Sequence, residues 1–143
     1  MKISIGCDHA GLELKNELGE FLKAQGHEIK DCGTFTKDSI DYPDFAHAVA
    51  KDVAAGTADF GVLVCWSGVG ISIAANKVKG VRAVNCFNVE MAELSRLHNN
   101  ANIIAFGQKF IAPSYAKDML AKFLSTGFEG GRHERRVNKI ELD

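Results

Sequence analysis

The sequence predicts an α/β sandwich built on five parallel strands. Short, uninterrupted apolar runs alternate with amphipathic segments about five times along 143 residues. Runs without a polar alternation suit strands buried on both faces of a parallel sheet. Strands separated by helical segments favour right-handed crossovers. The length fits a single domain, 1–143, with one core. A hydrophobic fraction of 46% against 24% charged excludes a disordered chain.

The elements follow in order. Residues 2–6 form the first strand, and Leu14, Leu18, Phe21 and Leu22 recur at helical spacing after it. A weaker strand covers 27–32. Phe45, Val49 and Val53, with Ala46 and Ala50, make the next helical face. The run Phe60–Cys65, FGVLVC, is the clearest strand, and it enters a glycine-containing turn. Val81–Cys86 and Asn102–Phe106 are the remaining strands. Residues 88–97 and 114–125 have helical periodicity, the latter opened by Pro113 and Ser114. Residues 126–143 differ: a Gly-rich bend leads into a charged tail with room for a last helix.

Charge and cysteine usage exclude several classes. Seventeen basic and eighteen acidic residues give a net charge of -1, which argues against a general nucleic-acid coat. No run approaches the roughly 20 apolar residues of a membrane span, and Met1–Gly6 lacks the regions of a secretory signal. Cys7, Cys32, Cys65 and Cys86 form no C-x-x-C pair, so free thiols in a reducing cytoplasm are expected. His27, His47 and His133 show no metal-ligand spacing, and no metal is expected.

In an open parallel sheet, ligands sit beyond the carboxyl ends of the strands. The loop 65–72, CWSGVGIS, stands there and exposes backbone N–H groups to an anion at a helix start. It lacks the third glycine of a dinucleotide fingerprint and the Gly-Lys-Ser/Thr of a P-loop; a tight strand–helix turn is the plain alternative. Cys65 at that turn is either a thiolate base or a small buried hydrophobe. Asp8-His9 follows the first strand, as an acid/base pair or with Asp8 capping the next helix. His98 lies near a helix end, where a cation is favoured in any case. On a helical tail Arg132 and Arg136 stand at i, i+4 and suit a phosphate, unless they pair with Glu129, Glu134 and Glu141 on a solvated face.

The blocks GCDHAG (6–11), DYPDFA (41–46), CWSGVGISIAANK (65–77), GVRAV (80–84), SRLHNNANIIAFG (95–107) and GFEGGRHERRV (127–137) run nearly end to end. In that order they resemble the ribose-5-phosphate isomerase B family, which includes the galactose-6-phosphate isomerase subunits. The resemblance implies a Rossmann-like three-layer α/β/α fold. It implies a cytoplasmic aldose–ketose isomerase of the pentose phosphate pathway, working through an enediolate without metal or cofactor. It implies a homodimer or homotetramer with sites shared across the interface.

Mapped onto this chain, Cys65 is the base between C1 and C2. Amides from Ser67 through Gly68, Val69 and Gly70 to Ser72 would hold the enediolate oxygens. Asp8 and His98 help open the furanose ring, with Ser67 where the family often has threonine. Tyr42 and Asn99 contact sugar hydroxyls. His9, Arg132 and Arg136 grip the phosphate, and Lys109 is a weaker candidate there. The partner subunit is expected to contribute His98 and Asn99, and 127–143 to serve phosphate binding and dimer contact. Trp66 departs from the family's usual glycine; an indole there is expected to pack over the site or against a neighbouring subunit. Six-carbon sugar phosphates, such as allose or galactose 6-phosphate, are the nearest rival substrates. A non-catalytic phosphosugar-binding module is the rival from another class, and a dinucleotide-dependent oxidoreductase the weakest.

Overall fold

A computed structural model of the chain describes residues 1–142. Asp143, the last residue of the expected 127–143 segment, lies outside them. Five strands, β1 (Lys2–Cys7), β2 (Glu28–Asp31), β3 (Phe60–Cys65), β4 (Ala83–Asn85) and β5 (Ile103–Gly107), form one sheet in the order β2-β1-β3-β5-β4. Every neighbouring pair is parallel. Six helices are α1 (Leu12–Ala24), α2 (Tyr42–Ala54), α3 (Val69–Asn76), α4 (Val89–Asn99), α5 (Pro113–Ser125) and α6 (Arg132–Val137).

Successive strand residues point to opposite faces, and this divides the core in two. Ile3, Ile5, Val62, Val64, Ile104 and Phe106 face one way and pack with Leu14, Leu18 and Leu22 of α1, Ala92 of α4, and Met119, Leu120 and Phe123 of α5. Leu63, Cys65, Ile103 and Ala105 face the other way and meet Val49 and Ala50 of α2 and Ile71 and Ala75 of α3. These are the three layers the sequence predicts. Helix α2 lies close on its face because the strands beneath it carry glycine. A Cβ on Gly6 or Gly61 would stand 2.9 or 2.7 Å from a Val49 methyl.

The central strands β1, β3 and β5 are buried almost throughout. The fourth strand is a correction: expected over 81–86, it covers only Ala83–Asn85 and is half-buried. It is an edge strand, so only β5 pairs with it, and Cys86 leaves the ladder towards the Asn88 cap of α4.

One charged side chain is enclosed. Lys15 of α1 is buried, and its Nζ donates to both oxygens of Asp31 (2.9 and 2.8 Å) and to the carbonyl of Thr34 (2.9 Å). It thereby ties α1 to the end of β2 and to the segment leading to α2. At the far end of the sheet, buried Arg96 donates to the carbonyls of Thr126 and Ala101 and to the side chain of Asn100. Its guanidinium also stands against the rings of Phe60 and Phe123, at 4.9 and 5.7 Å. That anchors the last turn of α4, just where His98 and Asn99 project. No described helix is long and apolar enough to cross a membrane.

Candidate active site

The register of three strands assembles one half of the expected site. Cys7 pairs with Val64, and Cys65 with Gly107, so the carboxyl ends of β1, β3 and β5 finish level. The amide of Asp8 donates to the carbonyl of Val64 (3.2 Å), which sets Asp8 beside Cys65 at the neighbouring-strand spacing. Asp8 Oδ1 caps the short 3-10 turn His9–Gly11, accepting from Ala10 and Gly11 at 3.0 and 3.1 Å. The capping reading of Asp8 is thus observed, and it uses Oδ1 alone, which is compatible with a further role for Oδ2. Beside it the Ile40 amide donates to His9 Nδ1 (3.3 Å).

Cys65 is buried, and its Sγ accepts the Gly68 amide at 3.1 Å. The sulfur is thereby fixed in place at the turn, under the start of α3. The other thiols are unsuited to base chemistry. Burial pushes Cys7 up to about 12 and Cys86 up to about 11, and raises Cys32 as well.

The loop after Cys65 is held from several sides. Its carbonyls at Cys65 and Trp66 accept the amides of Gln108 and Lys109 at 2.9 and 3.0 Å. Gly68 has φ +80°, and Gly107 lets the loop lie against β5, since a Cβ there would stand 2.5 Å from the Ser67 carbonyl. Ser67 Oγ accepts the Val69 amide at 3.2 Å. The first amides of a helix have no partner inside it, and Gly70 and Ile71 hold such positions in α3. Ser72, by contrast, is buried, and its hydroxyl donates to Val69 O (2.9 Å). Its amide donates to Gly68 O at 3.3 Å. Tyr42 lies on Gly70, its ring 2.5 Å from where a Cβ would stand.

Trp66 is 52% exposed. Its backbone is not in the left-handed region, where Asn100 is the sole non-glycine residue described. The indole therefore costs no strain. It lies near Lys109, whose Nζ is 6.0 Å from the ring centroid.

The other expected residues sit at the opposite end of the sheet. Helix α4 leaves the carboxyl end of β4 and returns to the amino end of β5, so His98 and Asn99 arrive beside the start of that strand. Ile103 pairs with Gly61, four residues below Cys65. That is about 13 Å along the strand before the last turn of α4 is added. Helix α6 packs against α4 and carries Arg132 and Arg136 to the same end. His133 of α6 stacks on His98, with centroids 4.2 Å apart and planes 12° apart. Neither arginine is ion-paired with a carboxylate among the described residues. Glu129 instead faces the histidines, at 3.8 Å from His98 Nε2 and 3.9 Å from His133 Nε2.

One chain thus brings Asp8, His9, Tyr42, Cys65–Ser72 and Lys109 together. Separately it brings together His98, Asn99, Arg132 and Arg136. It does not bring the two groups to each other. Glu129 and His133 complete a cluster with His98 that the sequence reading did not assemble, since more than thirty residues separate them from it.

The whole chain matches known proteins. Residues 3–140 match the family model described as Ribose/Galactose Isomerase. The chain belongs to the ribose/galactose isomerase family. Ribose-5-phosphate isomerase B of Escherichia coli is 47% identical over 139 residues, covering 97% of this chain and 93% of that protein. Among solved structures, Clostridium thermocellum ribose-5-phosphate isomerase B superposes with a TM-score of 0.97 at 50% identity, covering 98% of this chain and 95% of that one. The Mycoplasma genitalium ribose-5-phosphate isomerase B, solved with bound ribulose-5-phosphate, gives 0.93 at 42% identity, covering 97% and 93%. The family expected from the sequence blocks and the three-layer parallel fold are therefore both met.

Proposed function

We propose that this protein interconverts ribose 5-phosphate and ribulose 5-phosphate, with Cys65 as the base. The observation that carries the reading is Cys65 itself. Its sulfur is held by the Gly68 amide beside Asp8, in a chain matched end to end by ribose-5-phosphate isomerases B. In the open-chain aldose the thiolate takes the C2 proton. The electron pair forms the C1=C2 bond, and the charge moves to the C1 oxygen. The Gly70 and Ile71 amides stabilise that oxygen. The O2 proton passes to O1, and the thiol returns its proton to C1, leaving the ketone at C2. Asp8 and His98 open the furanose ring beforehand, with Ser67 assisting. Tyr42 and Asn99 hold hydroxyls. His9, Arg132 and Arg136, with Lys109, hold the phosphate, whose binding energy positions the reacting carbons.

Because His98, Asn99 and the arginines lie at the other end of the sheet, a second copy must supply them. The working unit is a homodimer, or a tetramer built from it. Exposed Trp66, Val69, Ile73, Phe87 and Phe110 near the Cys65 end give such a contact apolar area. Four free cysteines accord with a reducing cytoplasm. Purified protein given ribose 5-phosphate should form the ketose without added metal; no ketose refutes the reading. The family's description also names galactose, so kcat/KM should be compared for ribose, allose and galactose phosphates. The five-carbon substrate is expected to lead.

A further inference from the structure

We propose that His133 and Glu129 are positioning residues for His98, fixing the orientation of its ring for the ring-opening step. The proposal rests on the isomerase reading above and adds two residues to it. His133 is 92% buried by the complement of its 8% exposure, and its Nε2 has no hydrogen-bond partner. A buried, unpaired imidazole nitrogen is costly and calls for an explanation. The stack supplies one. An offset or parallel ring at 4.2 Å confines His98 to one plane, although His98 itself is 40% exposed and otherwise free to turn. Glu129 closes the arrangement, with its two carboxylate oxygens 3.8 and 3.9 Å from the two Nε2 atoms. The carboxylate thus stands against the Nε2 edge of both rings.

The surroundings of His133 carry charges of both signs. His133 faces His98 from α4, Glu129 from the preceding loop, and Arg132 and Arg136 from its own helix. Loss of hydration, then the charges of His98 and the arginines, hold His133 below the usual imidazole range against the opposing pull of Glu129. Glu129 therefore stands as the one carboxylate among these groups. The same three side chains are of types that ligate a borderline divalent ion, with donor atoms within 4.8 Å of one another. But near-parallel rings aim their lone pairs side by side and not at one point, and two guanidiniums stand close by. Positioning of an acid fits this geometry better.

The test separates ring opening from enolisation. Ribulose 5-phosphate has no free C5 hydroxyl and cannot close a furanose, so exchange of its C1 hydrogen with solvent deuterium needs only Cys65 and the oxyanion amides. In Glu129→Gln, kcat on ribose 5-phosphate should fall about tenfold, less than the roughly 10²–10⁴-fold of a lost acid–base group because the acid itself stays in place. His133→Ala should lose a similar factor, and His133→Phe, which keeps a stacking ring, should recover most of it. In all three, C1 exchange should stay within about twofold of the parent. An unchanged kcat in Glu129→Gln, or equal loss of exchange and turnover, overturns the positioning role. No exchange in the parent protein overturns the isomerase reading beneath it.

Discussion

A thiol can act as a base where its sulfur meets the substrate and its anion is stabilised. Cys7 and Cys65 end adjacent strands, yet they face opposite layers. Cys7 lies in the α1/α5 core, where burial pushes its thiol up to about 12. Cys65 faces the α2/α3 layer, beneath the turn whose Gly68 amide reaches its sulfur. One residue of strand parity thus separates an inert thiol from a candidate base. Cys65→Ala should lower turnover by about 10³-fold, the scale of a lost proton-transfer group. Phosphosugar binding, measured calorimetrically, should persist. Near-normal turnover would remove Cys65 from its role.

At the level of elements, the packing of α1 against β2 depends on an enclosed ion pair. Asp31→Asn would leave the Lys15 ammonium buried without a counter-charge. The Asp31 side chain is 37% exposed, so the low end of the usual cost, about 3 kcal/mol, is expected. For a chain of this size that lowers Tm by about 10 °C. Lys15→Met, which removes the charge and keeps the volume, should cost much less, and thermal unfolding of the two variants checks the difference. The elements themselves were largely legible, because buried parallel strands leave apolar runs and α1, α2 and α5 leave clear stripes. The fourth strand was overextended because Val81 and Cys86, though outside the strand, belong to the buried clusters on the two faces of the sheet and so extend its apolar run. The half-site around Cys65 was legible because its residues lie in loops that directly follow strands. The His98–Glu129–His133 cluster was not, since docking of α6 on α4 creates it. Glu129 and His133 at i, i+4 in the tail were its only local trace, and they gave no hint that His98 would be the third member.

For the whole molecule, the separation of the two half-sites along the sheet makes a direct prediction. In a two-fold dimer each site would take Cys65 from one copy and His98 from the other. Cys65→Ala and His98→Ala should each be nearly inactive alone. Mixed in equal amounts and allowed to exchange, half the dimers pair one of each, and each of those carries one intact site. Activity should then return to about a quarter of the parent value. No recovery, once exchange is verified by mass, would place both groups in the same subunit's site.

The Ile40 amide at His9 has a consequence for proton traffic. A ring nitrogen that accepts an N–H carries no hydrogen of its own, so Nδ1 is the bare nitrogen of His9. The tautomer is settled by a backbone group contributed from the segment before α2, and the remaining hydrogen must reside on Nε2. His9 therefore presents a donor while uncharged. An anion arriving there would meet a ring N–H whose direction the backbone before α2 has already set.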